Sequence, residues 1–104
     1  MGVIRVVVAG PGADGHDRSP ADAAARSLRD AGMEVVRILQ TGADEAGAVA
    51  RSCVQEDAAA VCVPGAARVA ETRAALAAEG AADVPVLDVE AEPDVAAVIR
   101  AHTP

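Results

Sequence analysis

The chain has 104 residues, a net charge of −7 and no Phe, Tyr, Trp or Lys; its nine basic residues are all arginines. That length suits one domain with a single modest core and is too short for two. The acidic balance, the unclustered arginines and the lack of rings for stacking bases argue against nucleic acid and against an anionic membrane surface, and no apolar run approaches the roughly 20 residues of a membrane span.

Val3 to Ala9 is a continuous β-branched run, the pattern of a strand buried on both faces. Ser19, Pro20 and Asp22 predict a helix start: a capping hydroxyl, a proline at the first helical position and an early carboxylate. That helix runs to Ala31 and stops at Gly32, with Ala24, Ala25, Leu28 and Ala31 as its apolar stripe and Arg26, Arg29 and Asp30 on the wet side. Glu34 to Leu39 predicts a second strand, Asp44 to Val54 a second helix, and Ala58 to Val63 a third strand halted by Pro64-Gly65. Ala66 to Ala78 predicts a third helix. Val84 to Val89 is a fourth strand, with Pro85 near its start, where a missing N–H is tolerable. Pro93 opens a last helix to about Ala101. Strands alternating with helices imply right-handed crossovers and a doubly wound parallel sheet of about four strands, flavodoxin-like and in one domain over residues 1–104.

With 27 alanines and no aromatic ring, the core is built from Val, Ile, Leu and Ala, so hydrophobic stabilisation per residue is low. Modest stability, supplemented by self-association or a ligand, is therefore expected, and homo-oligomer formation with it. No charged-then-apolar signal pattern precedes the first strand, and the expected location is the cytoplasm. Cys53 and Cys62 lack CxxC spacing and a disulfide-rich context; both are expected reduced, Cys62 in the core and Cys53 on a helix.

The loop after the first strand carries the chemistry. In an open α/β sheet, ligands bind at the carboxyl ends of the strands, and here that end holds His16 with the carboxylate of Asp14 two residues before it. A carboxylate that orients an imidazole is a common preparation of a metal ligand. Gly10-x-Gly12-x-x-Gly15 also matches the dinucleotide fingerprint. That fingerprint needs its helix to begin inside the glycine run, and here the helix starts only at Ser19-Pro20. It also wants an acidic residue after the second strand, where this chain reads Leu39-Gln40-Thr41. A phospho-acceptor domain is a weaker fit, since Asp14 is the loop carboxylate near strand one and no lysine exists to match it.

The string Pro11-Gly12-x-Asp14-Gly15-His16-Asp17-Arg18, followed by Leu28-Arg-Asp-Ala-Gly-Met-Glu-Val35 and by Gln55-Glu-Asp-Ala58, closely resembles the cobalamin-binding domain of methylmalonyl-CoA mutase and related acyl-CoA mutases. The resemblance covers most of the chain and is dense from about Arg5 to Ala58. It implies that His16 is the lower axial ligand of the cobalt of cobalamin (adenosylcobalamin), displacing the dimethylbenzimidazole base, and that Asp14 hydrogen-bonds the other ring nitrogen. Cobalt accepts imidazole nitrogen, and such a pair fixes tautomer and basicity. The cofactor-contacting candidates are Asp14, Gly15, His16, Asp17, Arg18 and Ser19, with Pro64, Gly65 and Asp88 from the later loops.

The chain departs from the family in four places. The motif's closing glycine is Ser19, followed by Pro20. The lysine that supports the aspartate falls at Gly10. Pro64-Gly-Ala-Ala67 replaces Ser-x-Leu, and Asp88 and Val89 replace a Gly-Gly pair that leaves room for the nucleotide tail. A carboxylate at Asp88 facing an apolar ring without a partner is costly, and the family's fifth strand is missing or shortened. The resemblance therefore implies a small subunit with a remodelled tail cleft, presenting cobalamin to a large acyl-CoA mutase catalytic subunit and not catalytic alone. The competing expectation is a degenerate fold acting through protein contacts.

Three lesser features complete the reading. Asp88, Glu90, Glu92 and Asp94 read as a solvated loop and helix start rather than a hard-cation site. Arg68 and Arg73 read as a wet helix face rather than contacts to phosphate or propionamide groups at the cleft, and His102 as a fraying tail residue.

Overall fold

A computed structural model describes residues 2–11, 19–39 and 44–102. Val6, Val7 and Val8 have no exposed surface, as the unbroken apolar run requires of a strand covered on both sides. They belong to β1 (Arg5–Ala9), followed by α1 (Pro20–Asp30), β2 (Glu34–Ile38), α2 (Glu45–Glu56), β3 (Ala60–Val63), α3 (Ala66–Ala78), β4 (Val86–Asp88) and α4 (Val95–His102). The four strands pair in parallel in the order β2-β1-β3-β4. This is the flavodoxin-like α/β arrangement the alternating pattern predicts.

Period-two alternation sorts the strand residues between two apolar layers. Val6, Val8, Ala60, Cys62 and Leu87 pack with α1 and α4 through Ala21, Ala25, Leu28, Val95 and Ile99. Val7, Ala9, Val61, Val63 and Val86 pack with α2 and α3 through Val49, Cys53, Val69 and Leu76. Arg26, Arg29 and Asp30 are exposed on α1, opposite its buried stripe. No described helix is long and apolar enough to cross a membrane.

Among the boundaries that differ from the sequence expectation, four have a local reason. Val3 is 59% exposed and β1 begins at Arg5, the first residue paired with β2. α2 continues past Val54 to Glu56, where Asp57 takes a left-handed conformation and closes it. β4 shrinks to Val86–Asp88 because the Val84 N–H turns back to the Ala81 carbonyl and Pro85 has no N–H to give. The last helix begins at Val95 because Asp94 acts as its cap, its Oδ1 accepting the Ala97 N–H at 3.1 Å. Both cysteines are buried free thiols.

Candidate cofactor-binding site at the carboxyl edge

The strand order reverses between β1 and β3, so the crevice above their carboxyl ends is the place where this fold binds ligands. Gly10 leaves β1 with its N–H on the Ile38 carbonyl at 3.1 Å and a φ of 144°. The chain returns at Ser19, whose Oγ accepts the Asp22 N–H at 3.1 Å. Its carbonyl accepts the Ala23 N–H at 3.0 Å, so Ser19 is a helix cap, as its sequence context predicts. Asp14, Gly15, His16, Asp17 and Arg18 lie outside the described residues.

Pro64, Gly65 and Asp88 are brought to the same edge, and they are tied to one another. Asp88 Oδ1 accepts the Gly65 N–H at 2.8 Å and the Glu90 N–H at 2.9 Å. The expected unpartnered carboxylate is thus corrected: main-chain donors from two loops satisfy it, joining the β3–α3 turn to the β4–α4 turn. Gly65 has φ 97° and ψ 146°, a conformation open to glycine and strained for other residues. Pro64 is buried against the start of the β1 loop. A methyl group on Gly10 would stand 2.9 Å from Pro64 Cδ and 3.2 Å from Ala21 Cβ. Pro64 therefore packs closely against Gly10, whose missing side chain permits the approach.

Asp88→Ala removes the acceptor of two main-chain N–H groups and lowers stability by about 1–3 kcal/mol, with Asp88→Asn milder because one oxygen acceptor remains. Urea unfolding, with faster hydrogen exchange confined to the Gly65 and Glu90 amides, checks this. Unchanged exchange at both amides in Asp88→Ala would rule out the tie.

Arg37, which no sequence motif marks, belongs to this edge. It stands on edge strand β2, and its side chain is 15% exposed. Its guanidinium donates to Asp22 Oδ1 of α1 from Nη2 at 3.0 Å and from Nε at 3.2 Å. It also donates to the carbonyls of Ile38 at 2.7 Å, Gly10 at 3.0 Å, Pro11 at 3.1 Å and Val8 at 3.2 Å. One cation thus collects main-chain oxygens where β1 hands over to its loop and fastens them to the first turn of α1. The signal for it was an arginine inside the β-branched strand Glu34-Val-Val-Arg-Ile38, where a buried charge requires partners.

Two hollows flank this edge. A cleft of about 200 Å³ lies between α1 and the chain after β4, lined by Pro20, Ala23, Ala24 and Ser27 on one side and Val89 and Pro93 on the other. A smaller cavity of about 90 Å³ lies between α2 and α3. There Arg68 Nε reaches Glu45 Oε2 at 3.4 Å, while Glu45 Oε1 is buried without a hydrogen-bond partner. Arg68 thus pairs within the fold, whereas Arg73 is exposed beside β4.

Glu92 Oε1 accepts the Asp94 N–H at 3.1 Å, and Asp94 caps α4, so two of the acids after β4 serve the loop and helix start as expected. Among the described residues, no group of three or more His, Cys, Asp or Glu side chains is placed to hold a metal ion. No protein-family model matches the chain, and no curated protein matches it significantly.

Proposed function

We propose that this chain is a cobalamin-binding domain that presents its cofactor to a separate catalytic subunit. His16 is the residue that would ligate cobalt, and Asp14 would orient its ring. The supporting observation is topological: Gly10-Pro11 and Ser19, the two ends of the segment carrying Asp14 and His16, both emerge at the carboxyl edge where β1 and β3 diverge. Bound there, a corrinoid would supply cobalt chemistry, with the His16 imidazole as the group that would hold the metal.

The described residues do not fit a nucleotide tail buried in the core. The α1 cleft of about 200 Å³ is narrowed by Val89. It falls short of the roughly 300–1,000 Å³ of pockets that enclose drug-sized ligands. Pro64 packs against Gly10 at the crevice mouth, and Asp88 is committed to Gly65 and Glu90. In this reading the tail stays outside and the loop holds the corrin. The same three contacts favour the second reading, a domain that has lost the cofactor and works through protein contacts.

Titration with adenosylcobalamin and cob(II)alamin, followed by absorption and electron spin resonance, separates the two. The cobalamin reading expects base-off binding with nitrogen hyperfine structure, lost in His16→Ala. It also expects cobinamide, which lacks the nucleotide, to compete about equally. Free-cofactor spectra at high protein concentration would leave only the protein-contact reading. The chain has no aromatic residue, so protein absorption barely overlaps the cofactor bands.

A further inference from the structure

β4 is the last strand of the sheet, and no described strand covers its outer side. The Val61 N–H bonds the Pro85 carbonyl at 3.0 Å and the Val89 N–H bonds the Val63 carbonyl at 2.9 Å, both toward β3. In a parallel ladder the alternate residue then faces away, so the Val86 N–H and carbonyl and the Asp88 N–H point outward. The Asp88 carbonyl is already taken by the N–H groups of Ala91 and Glu92, at 3.1 and 2.9 Å.

This edge lies at the floor of a groove of about 490 Å³. Arg73 of α3 stands on one wall, Val98 and His102 of α4 on the other, with Val84 to Leu87 beneath. The two walls belong to opposite faces of the sheet, since α3 packs in one apolar layer and α4 in the other. The groove therefore runs between the two helical layers along the outer edge of β4, at the position where a further strand would extend the sheet. It continues around Asp83 to Pro85 into a second hollow of about 500 Å³ at the amino end of the strands. That hollow is bordered by Val54, which is 49% exposed, and by Asp57 and Glu79.

Charge selects the occupant. Asp83 stands at the amino end of the groove, Asp57 and Glu79 border the adjoining hollow, Glu90 follows the strand at its carboxyl end, and Arg73 and His102 stand on the walls, on a chain of net charge −7. Two copies paired edge to edge about Val86 would set Asp83 of each beside Val89-Glu90 of the other and join two strongly acidic molecules, which like-charge repulsion opposes. We infer that the β4 edge is a docking slot for an extended segment of a different protein, apolar in its middle and basic at its ends, which adds to the sheet as a fifth strand. Main-chain hydrogen bonds to Val86 and Asp88 give such a segment its grip, and the acidic ends select it. The inference is independent of the cofactor proposal, because the slot is on the sheet edge and involves none of the β1 loop.

The test uses two synthetic hexapeptides, acetyl-Lys-Val-Thr-Val-Thr-Arg-amide and its counterpart with glutamates at both ends, added to the isotope-labelled full chain. The expected result is a change in the amide resonances of residues 84–88 with the basic peptide, slower hydrogen exchange at Val86, and binding that falls about tenfold between low salt and 1 M salt. Asp83→Arg, on an exposed turn, weakens that binding about tenfold, while its melting temperature stays that of the native chain. Absence of any change at residues 84–88 with peptide in excess overturns the slot, and equal binding of the acidic peptide overturns its charge selection. A Val86 amide already protected in a dimer before peptide is added assigns the edge to a second copy and overturns the inference as well.

Discussion

Arg37→Ala is expected to lower the unfolding free energy by about 1.5–3 kcal/mol, the usual cost of losing charge-assisted hydrogen bonds at a partly buried site. The figure is a sizeable part of the roughly 5–15 kcal/mol of a whole domain. The loss has several parts. The carbonyls of Val8, Gly10, Pro11 and Ile38 lose their guanidinium donor, and Asp22 loses its arginine. Arg37→Lys restores the charge but not the planar fork, so it can serve Asp22 or the carbonyls and recovers part of the stability. Urea unfolding followed by circular dichroism measures both variants, since no tryptophan is present to report by fluorescence. A loss below about 1 kcal/mol in Arg37→Ala would show that the carbonyls are as well served by water. The same clamp holds Gly10 and Pro11 at the start of the His16 loop, so Arg37→Ala is also expected to weaken any cofactor binding there.

The second large effect appears at alkaline pH. Burial pushes the Cys62 thiol up to about 12 from an ordinary 9.0, and Cys53 is raised too, by burial first and then by Asp57 and Asp83. Above about pH 9 the unfolded chain releases protons that the native chain keeps, so stability falls as pH rises. The slope is roughly 1.4 kcal/mol per pH unit for Cys62 and ends near its native pKa, a total of about 4 kcal/mol. Cys53 adds in the same direction. With no Tyr and no Lys, no other side chain ordinarily ionises between pH 9 and 12, so the slope belongs to the thiols. Unfolding midpoints measured across that range are expected to fall steeply in the native chain and much less in Cys62→Ala. Native Cys62 should also resist a thiolate-selective reagent until the chain unfolds. Parallel alkaline slopes in the two proteins would refute the assignment.

Much of the fold was legible in the residues. The valine run, the Ser19-Pro20-Asp22 cap, Gly32 and the Pro64-Gly65 stop act within a turn or two of chain, and α3 occupies its expected span, Ala66–Ala78. Less of the site was legible. The Asp14 and His16 motif rests on residue types and spacing alone and lies outside the described residues. The partners of Asp88 could not, because the Gly65 N–H that it accepts is 23 residues away and comes within reach only through the register Val63 to Asp88. Arg37 was passed over for the same reason, since its acceptor at Gly10 is 27 residues distant.

The amino-acid sequence by itself determined the order of strands and helices, their parallel pairing and the burial of Cys62. All of these follow from short-range periodicity, capping chemistry and the handedness of crossovers. Only the tertiary structure decided that Arg37 clamps the handover from β1 to its loop, that Asp88 ties the Gly65 and Glu90 turns together while Pro64 packs against Gly10, and that β4 is the outermost described strand, between α3 and α4. Those outcomes depend on which distant groups the sheet register brings within a hydrogen bond's length, and local sequence pattern carries no record of that distance.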